Sequence, residues 1–546
     1  MKIEEVSCLQ LSPFAREYYT FREPVSFLYP YDPWDGQSFV QRSEVLVQNR
    51  WSASRESLVE LMKSYYDLSS IPQAIEKQLE RLNQLDSLVV IGGQQAGILT
   101  GPLYTIHKAV TIIQLAQREE QRLGRPVIPV FWIAGEDHDY DEVDHVWIQD
   151  EQDQPRKVRY KESYPEKWSV SRLVLEPESL HAWLDELATL LPDREYKKEW
   201  LLRSKQLITK PTTWSDYFAT WISDLFAEWG LLVIDSGDPQ LRRIEAPFFK
   251  QMIINMESIQ QKVREASKLF KKWGYAEPVD LKPNQAHLFI EIDHKRLPLF
   301  KEADRWMTRE GEAQFTTQEL INLVEEEPER FSNNVLTRPL MQEYLFPTLA
   351  FVGGPGEIAY WGLLKETFET MGLQMPILYP RLQFTFMDRR LEKRMQEFSL
   401  SWSDLFTQLT EKKEQWLQQQ HNLDLDALFA EVKQKISEVH QPLIQTLDQE
   451  IGMNLRDIGV KNMQKIEEQI QYLHLFAQKA IELKYQTTLR HWEEIALTCF
   501  PNDQPQERVY NLIQIWNQYG LDWIELMLNT PLIQEDQEHK HYCIIF

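Results

Sequence analysis

At 546 residues the chain is too long for one hydrophobic core, and about two to four domains are expected. Its 43% hydrophobic content and 18 Trp fit a globular protein with large buried surfaces, and no uncharged apolar run is long enough to span a membrane. The net charge of −24 repels nucleic-acid phosphate, and no basic patch offsets it, so a nucleic-acid partner is excluded.

The first residues, MKIEEVSCLQLSPF, lack a basic stretch followed by an apolar core, so no signal peptide is expected. Cys8, Cys499 and Cys543 are isolated, with no C-x-x-C. That excludes a disulfide framework or a cysteine-rich zinc site and fits a reducing cytoplasm. Residues 1–50 are rich in Tyr, Phe and Pro and read as an extended arm packed on the main body. Residues 53–85 give two helices, the second opened by Pro72.

Leu88 to Ile91 is a buried strand that Gly92 and Gly93 are expected to break. Gly97, Gly101 and Pro102 hold a loop, and a helix over 103–119 follows from Leu103, Ile106, Val110 and Ile113. A strand, glycine loop and helix in that order aim free backbone N–H groups at a carboxylate or phosphate. The loop has neither the Gly-Lys-Ser/Thr of a Walker A motif nor G-x-G-x-x-G spacing. A second strand, 127–134, runs into Glu136, Asp137, His138, Asp139, Asp141, Glu142, Asp144 and His145. Ionisable groups at a carboxyl strand end lie where open α/β sheets bind ligands.

An insertion is expected over about 146–225. Strand 231–234 then ends in Asp235 and leads into a helix reaching about Phe270. A second insertion, about 273–343, contains a hairpin turning near His294 and Lys295. Strand 346–352, the loop Gly353-Gly354-Pro355-Gly356-Glu357, a helix from Ile358 to Met371 and strand 376–379 before Arg381 complete the pattern. Five strands, mostly alternating with helices, describe an α/β fold with a doubly wound parallel sheet over 1–383.

Over 384–498 glycine is scarce and Leu391, Met395, Phe398, Trp402, Leu405 and Leu409 keep heptad steps. Long helices are expected over 424–452 and 457–496, with Pro442 as a kink and Gly452 near a turn. The solvated polar faces favour a projecting antiparallel coiled coil that pairs two subunits over an ordinary bundle. Residues 499–546 are expected to return to the core.

Tyr104 and His107 lie three apart at a helix start and are expected on one face. The layout is similar to the H-x-G-H signature of nucleotide-activating enzymes, with Tyr104 for the first His and Ile106 for the Gly. The acidic cluster has three readings: a metal set of His138, Asp139, Asp141 and His145; carboxylates and a His that bind substrate and move protons; or a solvated loop. Following directly on a buried strand favours the second. The Gly353–Glu357 loop can cradle a ribose or phosphate, and Asn334, Arg338 and Gln342 stand before its strand.

Together, GGQQAGILTGPLYTIHKA, PVFWIAGEDHDYDEVDH, FSNNVLTRPLMQEYLFPT and FVGGPGEIAYW resemble the cysteine ligases of bacillithiol biosynthesis. The resemblance covers essentially the whole chain and points to the Bacillus members of that family. It implies a Rossmann-like core related to nucleotidyltransferases, two connecting-peptide insertions and a dimerising coiled coil. It also implies the reaction, in which cysteine is joined to the amine of glucosaminyl malate.

On this reading ATP with Mg2+ lies over the glycine loops, with Tyr104 and His107 near its α-phosphate, and no resident metal is expected. Asp137, His138 or Asp139 orients the cysteine ammonium or deprotonates the acceptor amine. Gly93, Gln94, Gln95, Gly97, Thr100, Gly101, Asp141, His145, Asp235, Asn334, Arg338, Gly353, Gly354, Gly356, Glu357, Tyr360 and Arg381 are the expected substrate and nucleotide contacts. Arg508, Tyr510 and Asn511 are a candidate second ligand site. Two alternatives remain: a nucleotidyltransferase or synthetase relative with another acceptor, or a non-catalytic coiled-coil scaffold with a vestigial core. The chain has no Lys-Met-Ser-Lys-Ser loop.

Overall fold

The computed structural model describes residues 1–7, 11–48, 53–66, 71–162, 164–420, 424–533 and 540–546, so Cys8 lies outside the described residues. The chain divides into two compact units. One comprises residues 1–386 with 501–544 and 546, and the other residues 387–500 with 545. Among the described residues no helix is long and apolar enough to cross a membrane.

The first unit is built on five parallel strands: β1 (Leu88–Gln94), β2 (Val127–Ile133), β3 (Leu232–Asp235), β4 (Thr348–Gly353) and β5 (Ile377–Pro380). Their order across the sheet is β5-β4-β1-β2-β3. Alternate side chains enter two separate cores. Val90, Phe131, Ile133, Val233 and Val352 join one, and Val89, Ile91, Val130, Trp132 and Ile234 the other. Burial on both faces is why these strands read as unbroken apolar runs rather than alternating ones. Helix α1 (Tyr104–Leu123) buries Ile106, Val110 and Ile113 in the first core. The helices Pro239–Ile254 and Met256–Lys272 supply Leu241, Phe248 and Ile259 to the second.

The glycines do not end β1 at Ile91, as expected from the sequence; the strand runs on to Gln94. A Cβ on Gly92 would lie 2.9 Å from Val352 O, and one on Gly93 2.5 Å from Trp132 O. Glycine is what lets three backbones approach this closely at the strand ends.

Between β2 and β3 the chain forms the hairpin His145–Gln149 with Pro155–Arg159 and the helices Pro177–Leu190, Lys197–Gln206 and Trp214–Phe226. The last of these packs on the sheet, with Phe218 against Phe131 at 6.0 Å between ring centroids. Before β4 lies an antiparallel five-stranded sheet whose hairpin turns at Asp293 and His294, both with positive φ. That is the backbone of a two-residue hairpin loop. The helix expected over 358–371 is two shorter helices, Pro355–Trp361 and Lys365–Thr370.

Residues 1–50 are more regular than an extended arm. They hold the strand Lys2–Val6 and the helices Pro13–Tyr19 and Gly36–Gln48. Their aromatic residues serve packing: Phe14, Tyr18, Tyr29 and Phe39 are all buried. The strand Lys2–Val6 joins His541–Ile545 and Gln383–Met387 in a three-stranded sheet.

In the second unit α2 (Leu425–Glu450) and α3 (Leu455–Lys484) form an antiparallel pair. Phe429 stacks on His474, Lys433 Nζ donates to Gln471 Oε1 at 2.9 Å, and Gly459 faces Ile444. The turn between them uses Gly452, Met453 and Asn454, all with positive φ. No residue of α2 is fully buried, and Gly459 is the buried residue of α3, so the polar faces are solvated as expected. The heptad steps of 391–409 do not make one long helix. Three short helices stand there, Arg389–Glu397, Trp402–Thr407 and Leu409–Gln419. The break follows from Ser399 at φ 56° and from the capping box in which Ser401 and Asp404 start a new helix.

Candidate active site

The sheet order reverses between β1 and β4, because β1 connects onward to β2 on one side while β4 leads to β5 on the other. Ligands in open α/β sheets bind at such a reversal, beyond the carboxyl ends of the strands. A cavity of about 330 Å³ opens there, and Gly93, Gln94, Gln95, Gly354, Gly356 and Glu357 line its floor. Tyr104, Lys108, Trp132, Asp137, Arg338, Gln342, Tyr360, Arg381 and Arg508 form its walls. Four cations, Lys108, Arg338, Arg381 and Arg508, thus face two carboxylates, Asp137 and Glu357. Behind the lining, Glu136 and Glu507 pair with Arg338 and Arg381 and hold their guanidinium groups at the edge of the cavity.

Helix α1 presents Tyr104 and Lys108 to the cavity, but His107 points elsewhere and is fully buried. Positions four apart fall closer to one face than positions three apart, and here the helix is turned so that the fourth is chosen. His107 Nδ1 lies 2.8 Å from Glu507 Oε2, and its ring edge meets Phe384 at 4.8 Å. Burial draws the imidazole below its ordinary pKa, although Glu507 opposes this. Facing an ionised carboxylate, the ring presents Nδ1–H to it as donor.

Glu507 also receives the Arg381 fork, with Nη1 and Nη2 each 2.7 Å from its oxygens. Burial alone would raise the Glu507 carboxyl. Arg381 and His107 outweigh it and hold the group far below the carboxylate range. Arg381 stands 5.6 Å from the Tyr104 ring centroid, so Glu507 braces the wall of the cavity from behind.

The residues expected as one site separate into groups. Gly97, Thr100 and Gly101 turn inward: Thr100 is fully buried, and a Cβ on Gly97 would lie 2.6 Å from Gly101 Cα. Tyr510 and Asn511 hold that turn and do not line the cavity. Leu103 N donates to Tyr510 O at 2.9 Å, and Asn511 Nδ2 donates to Leu99 O and Gly101 O at 2.8 and 2.6 Å. Of the candidate second site, Arg508 alone lines the cavity, and it is the same cavity. Gly353 ends β4, where its carbonyl accepts from Arg381 N at 2.9 Å.

The acidic cluster divides likewise. Asp137 lines the cavity and accepts from Gln95 Nε2 at 3.0 Å. Burial raises its pKa, but Arg296 and Arg338 more than reverse this and keep it ionised. Glu136 is fully buried between Arg242 and Arg338, which with Arg296 hold it low against the cost of burial. His138 and Asp139 lie off the cavity lining. Arg296 Nη1 donates to His138 Nδ1 at 3.0 Å, which leaves the ring proton on Nε2. Asp141 pairs with Arg159, and His145 Nδ1 lies 3.0 Å from Asp144 Oδ1.

Asp235 is half-buried and stands apart from the cavity. It accepts from Ser171 Oγ at 2.8 Å and Gly237 N at 2.9 Å, and burial raises its pKa to about 6. Asn334 caps its own turn through Leu336 N and Thr337 N.

Sequence reasoning missed Lys108 and Glu507. The four-residue step from Tyr104 was available for Lys108. Nothing local marks Glu507, which arrives from the far end of the chain.

Asp137, His138 and Asp139 are the one grouping among the described residues with metal-ligand spacing. The Arg296 guanidinium stands on two of these groups, 3.0 Å from His138 Nδ1 and 3.5 Å from Asp137 Oδ1. A resident cation does not fit beside it.

Comparison with known proteins bears on the whole chain. Residues 1–382 match the family model described as bacillithiol biosynthesis BshC, N-terminal Rossmann-like domain. Residues 384–544 match that of the BshC C-terminal coiled-coil domain. Proteins named "Putative cysteine ligase BshC" from Bacillus cereus and Bacillus anthracis are each 36% identical over 540 residues, covering 99% of both chains. Identity at this level shows the family and does not assign the chain to Bacillus. The chain belongs to the BshC family of bacillithiol biosynthesis.

Proposed function

We propose that this chain is the cysteine ligase that completes bacillithiol, joining the carboxylate of cysteine to the amine of glucosaminyl malate at the expense of ATP. The relatives' printed name supports the cysteine ligase part of this reading. The observation that carries the rest is the cavity at the sheet reversal, where four cations outnumber two carboxylates. Both ATP and a malate-bearing acceptor are anions, and a cavity at the reversal of a parallel sheet supports nucleotide binding there. A vestigial core in a scaffold protein has no reason to keep buried cations facing an open cavity, because burying charge costs stability.

Amide formation needs a leaving group on the cysteine carboxylate and a free acceptor amine. ATP, entering with magnesium on its own phosphates, supplies the first: the carboxylate attacks the α-phosphorus and pyrophosphate departs, or attacks the γ-phosphorus and ADP departs. Arg338, Arg381, Arg508 and Lys108 offset the charge that develops as that bond breaks. Ionised Asp137, steadied by Gln95, takes the ammonium of cysteine and keeps the amino acid oriented. The acceptor nitrogen then attacks the activated carbonyl, the C–O bond to AMP or to inorganic phosphate breaks, and the proton of the nitrogen passes to that departing group. His107 acts from behind the wall, through Glu507 and Arg381.

The exposed apolar residues Val439, Leu443, Tyr472, Leu473 and Phe476 on α2 and α3 support a homodimer formed through the hairpin. Cys499, buried with a free thiol, suits a reducing cytoplasm.

The test is incubation of the purified chain with cysteine, glucosaminyl malate, ATP and magnesium, with products followed by mass spectrometry. Bacillithiol with AMP is expected if the adenylate route operates, and bacillithiol with ADP would mean an acyl phosphate. A reaction that forms no thiol product and turns over no nucleotide would contradict the reading.

A further inference from the structure

Lys108 is a buried ammonium, its side chain 1% exposed, between the two glycine-bearing strand ends. Its Nζ donates to Gly93 O, to Gln94 Oε1 at 3.2 Å and to Glu357 Oε2 at 2.7 Å. An ammonium has three protons to place, and all three are placed here. Two of the acceptors belong to β1. The third is a side chain that is itself 25% exposed to the cavity. The same Glu357 oxygen also accepts from Gly354 N at 2.8 Å. One carboxylate oxygen thus covers both donors that face the gap between β1 and β4.

We infer that Glu357 holds the place of a substrate oxyanion, and that Lys108 is the residue that binds this oxyanion when Glu357 swings aside. The identity of the oxyanion, a phosphate of ATP or a carboxylate of the acceptor, rests on the proposed ligase reading; the site itself does not. Burial favours the neutral amine, and Glu357 counters it. A ligand oxyanion replaces that support as Glu357 leaves, so the exchange never strands a bare buried charge. Arg338 and Arg381 already have carboxylate partners of their own in Glu136 and Glu507. The Lys108 partner is the one that is both exposed and lining the cavity.

A purely structural ion pair and an exchangeable one respond differently to loss of each partner. The test is calorimetric titration of the full chain, as wild type, Lys108→Met and Glu357→Gln, with ATP, inorganic tripolyphosphate and malate. Glu357→Gln is expected to bind its anion about threefold or more tighter, and Lys108→Met at least about tenfold weaker, the loss of one charge-assisted contact. Preference for ATP and tripolyphosphate assigns the oxyanion to a phosphate, and preference for malate assigns it to a carboxylate.

Weakening by both variants, or no change in either, overturns the inference and leaves a structural pair. If Lys108→Met does not fold, as judged by thermal melting, the sign of the Glu357→Gln effect still decides. Absence of binding by the wild type also overturns it. Bacillithiol formation by the same preparation then reports separately on the ligase reading.

Discussion

Glu507 meets His107 at 2.8 Å although 400 residues separate them. The contact brings the segment after the helical unit into the heart of the Rossmann-like core, where one carboxylate meets His107 Nδ1 and both nitrogens of the Arg381 fork. The cavity wall therefore depends on the end of the chain.

Removing that carboxylate strands a buried guanidinium. Glu507→Ala is expected to cost about 3–5 kcal/mol of stability, read as a fall in the urea midpoint. His107→Ala leaves the Arg381–Glu507 fork intact and should cost less. Equal losses would mean that His107, not the fork, is what Glu507 serves.

The turn behind the cavity has Leu99, Thr100 and Gly101 at φ 51°, 74° and 67° in succession. Two of these residues carry side chains that disfavour that region. Asn511 Nδ2 pins the turn through Leu99 O and Gly101 O. Asn511→Ala should cost about 1–3 kcal/mol by leaving these buried carbonyls unmet. Amide exchange over residues 97–103 should rise in the same variant, and unchanged protection there would refute this role.

Asp235 gives a pH dependence with a definite sign. Its pKa rises from 3.8 to about 6 on burial, so the folded state binds its proton more tightly than the unfolded state. Its contribution is complete at low pH and is lost as pH rises toward and through 6. Asp235→Asn keeps a neutral group there. Its melting temperature relative to wild type should therefore climb between about pH 4 and pH 7. A flat difference across that range would show that Asp235 titrates normally.

In the helical unit, a Cβ on Gly459 would lie 2.5 Å from Ile444 Cγ2. Gly459→Leu should push α2 and α3 apart, at about 1–3 kcal/mol, seen as an early loss of helix signal on heating. Phe476→Glu should leave that melt alone and convert the dimer to monomer by sedimentation. A monomeric wild type would remove the proposed pairing.

The sheet was legible because strands buried on both faces announce themselves as apolar runs, and the loops because glycine is needed where backbones crowd. Gly92 shows the limit. A glycine reads as a break, yet here Gly92 against Val352 and Gly93 against Trp132 permit β1 to continue. The phase of α1 was not legible: three- and four-residue steps are nearly equivalent on a helix, and packing chose Lys108 over His107 for the cavity.

The acidic cluster looked like one site because its members are adjacent in sequence. Arg296, Arg242 and Arg159, from three other elements, divide it among separate ion pairs. Heptad steps over 391–409 were real, but Ser399 and the Ser401 cap cut them into short helices.

If ligation takes place in the cavity over β1 and β4, the loss of Arg338 must slow it. Its guanidinium lines that cavity, while its partner Glu136 keeps Arg242 when Arg338 is gone. The measurement is bacillithiol formation by wild type and Arg338→Ala, side by side, with melting curves on both. The expected result is a folded variant whose kcat/KM falls by about a hundredfold, the loss of a charged contact to an anionic substrate. A folded Arg338→Ala enzyme that forms bacillithiol at the wild-type rate would contradict it.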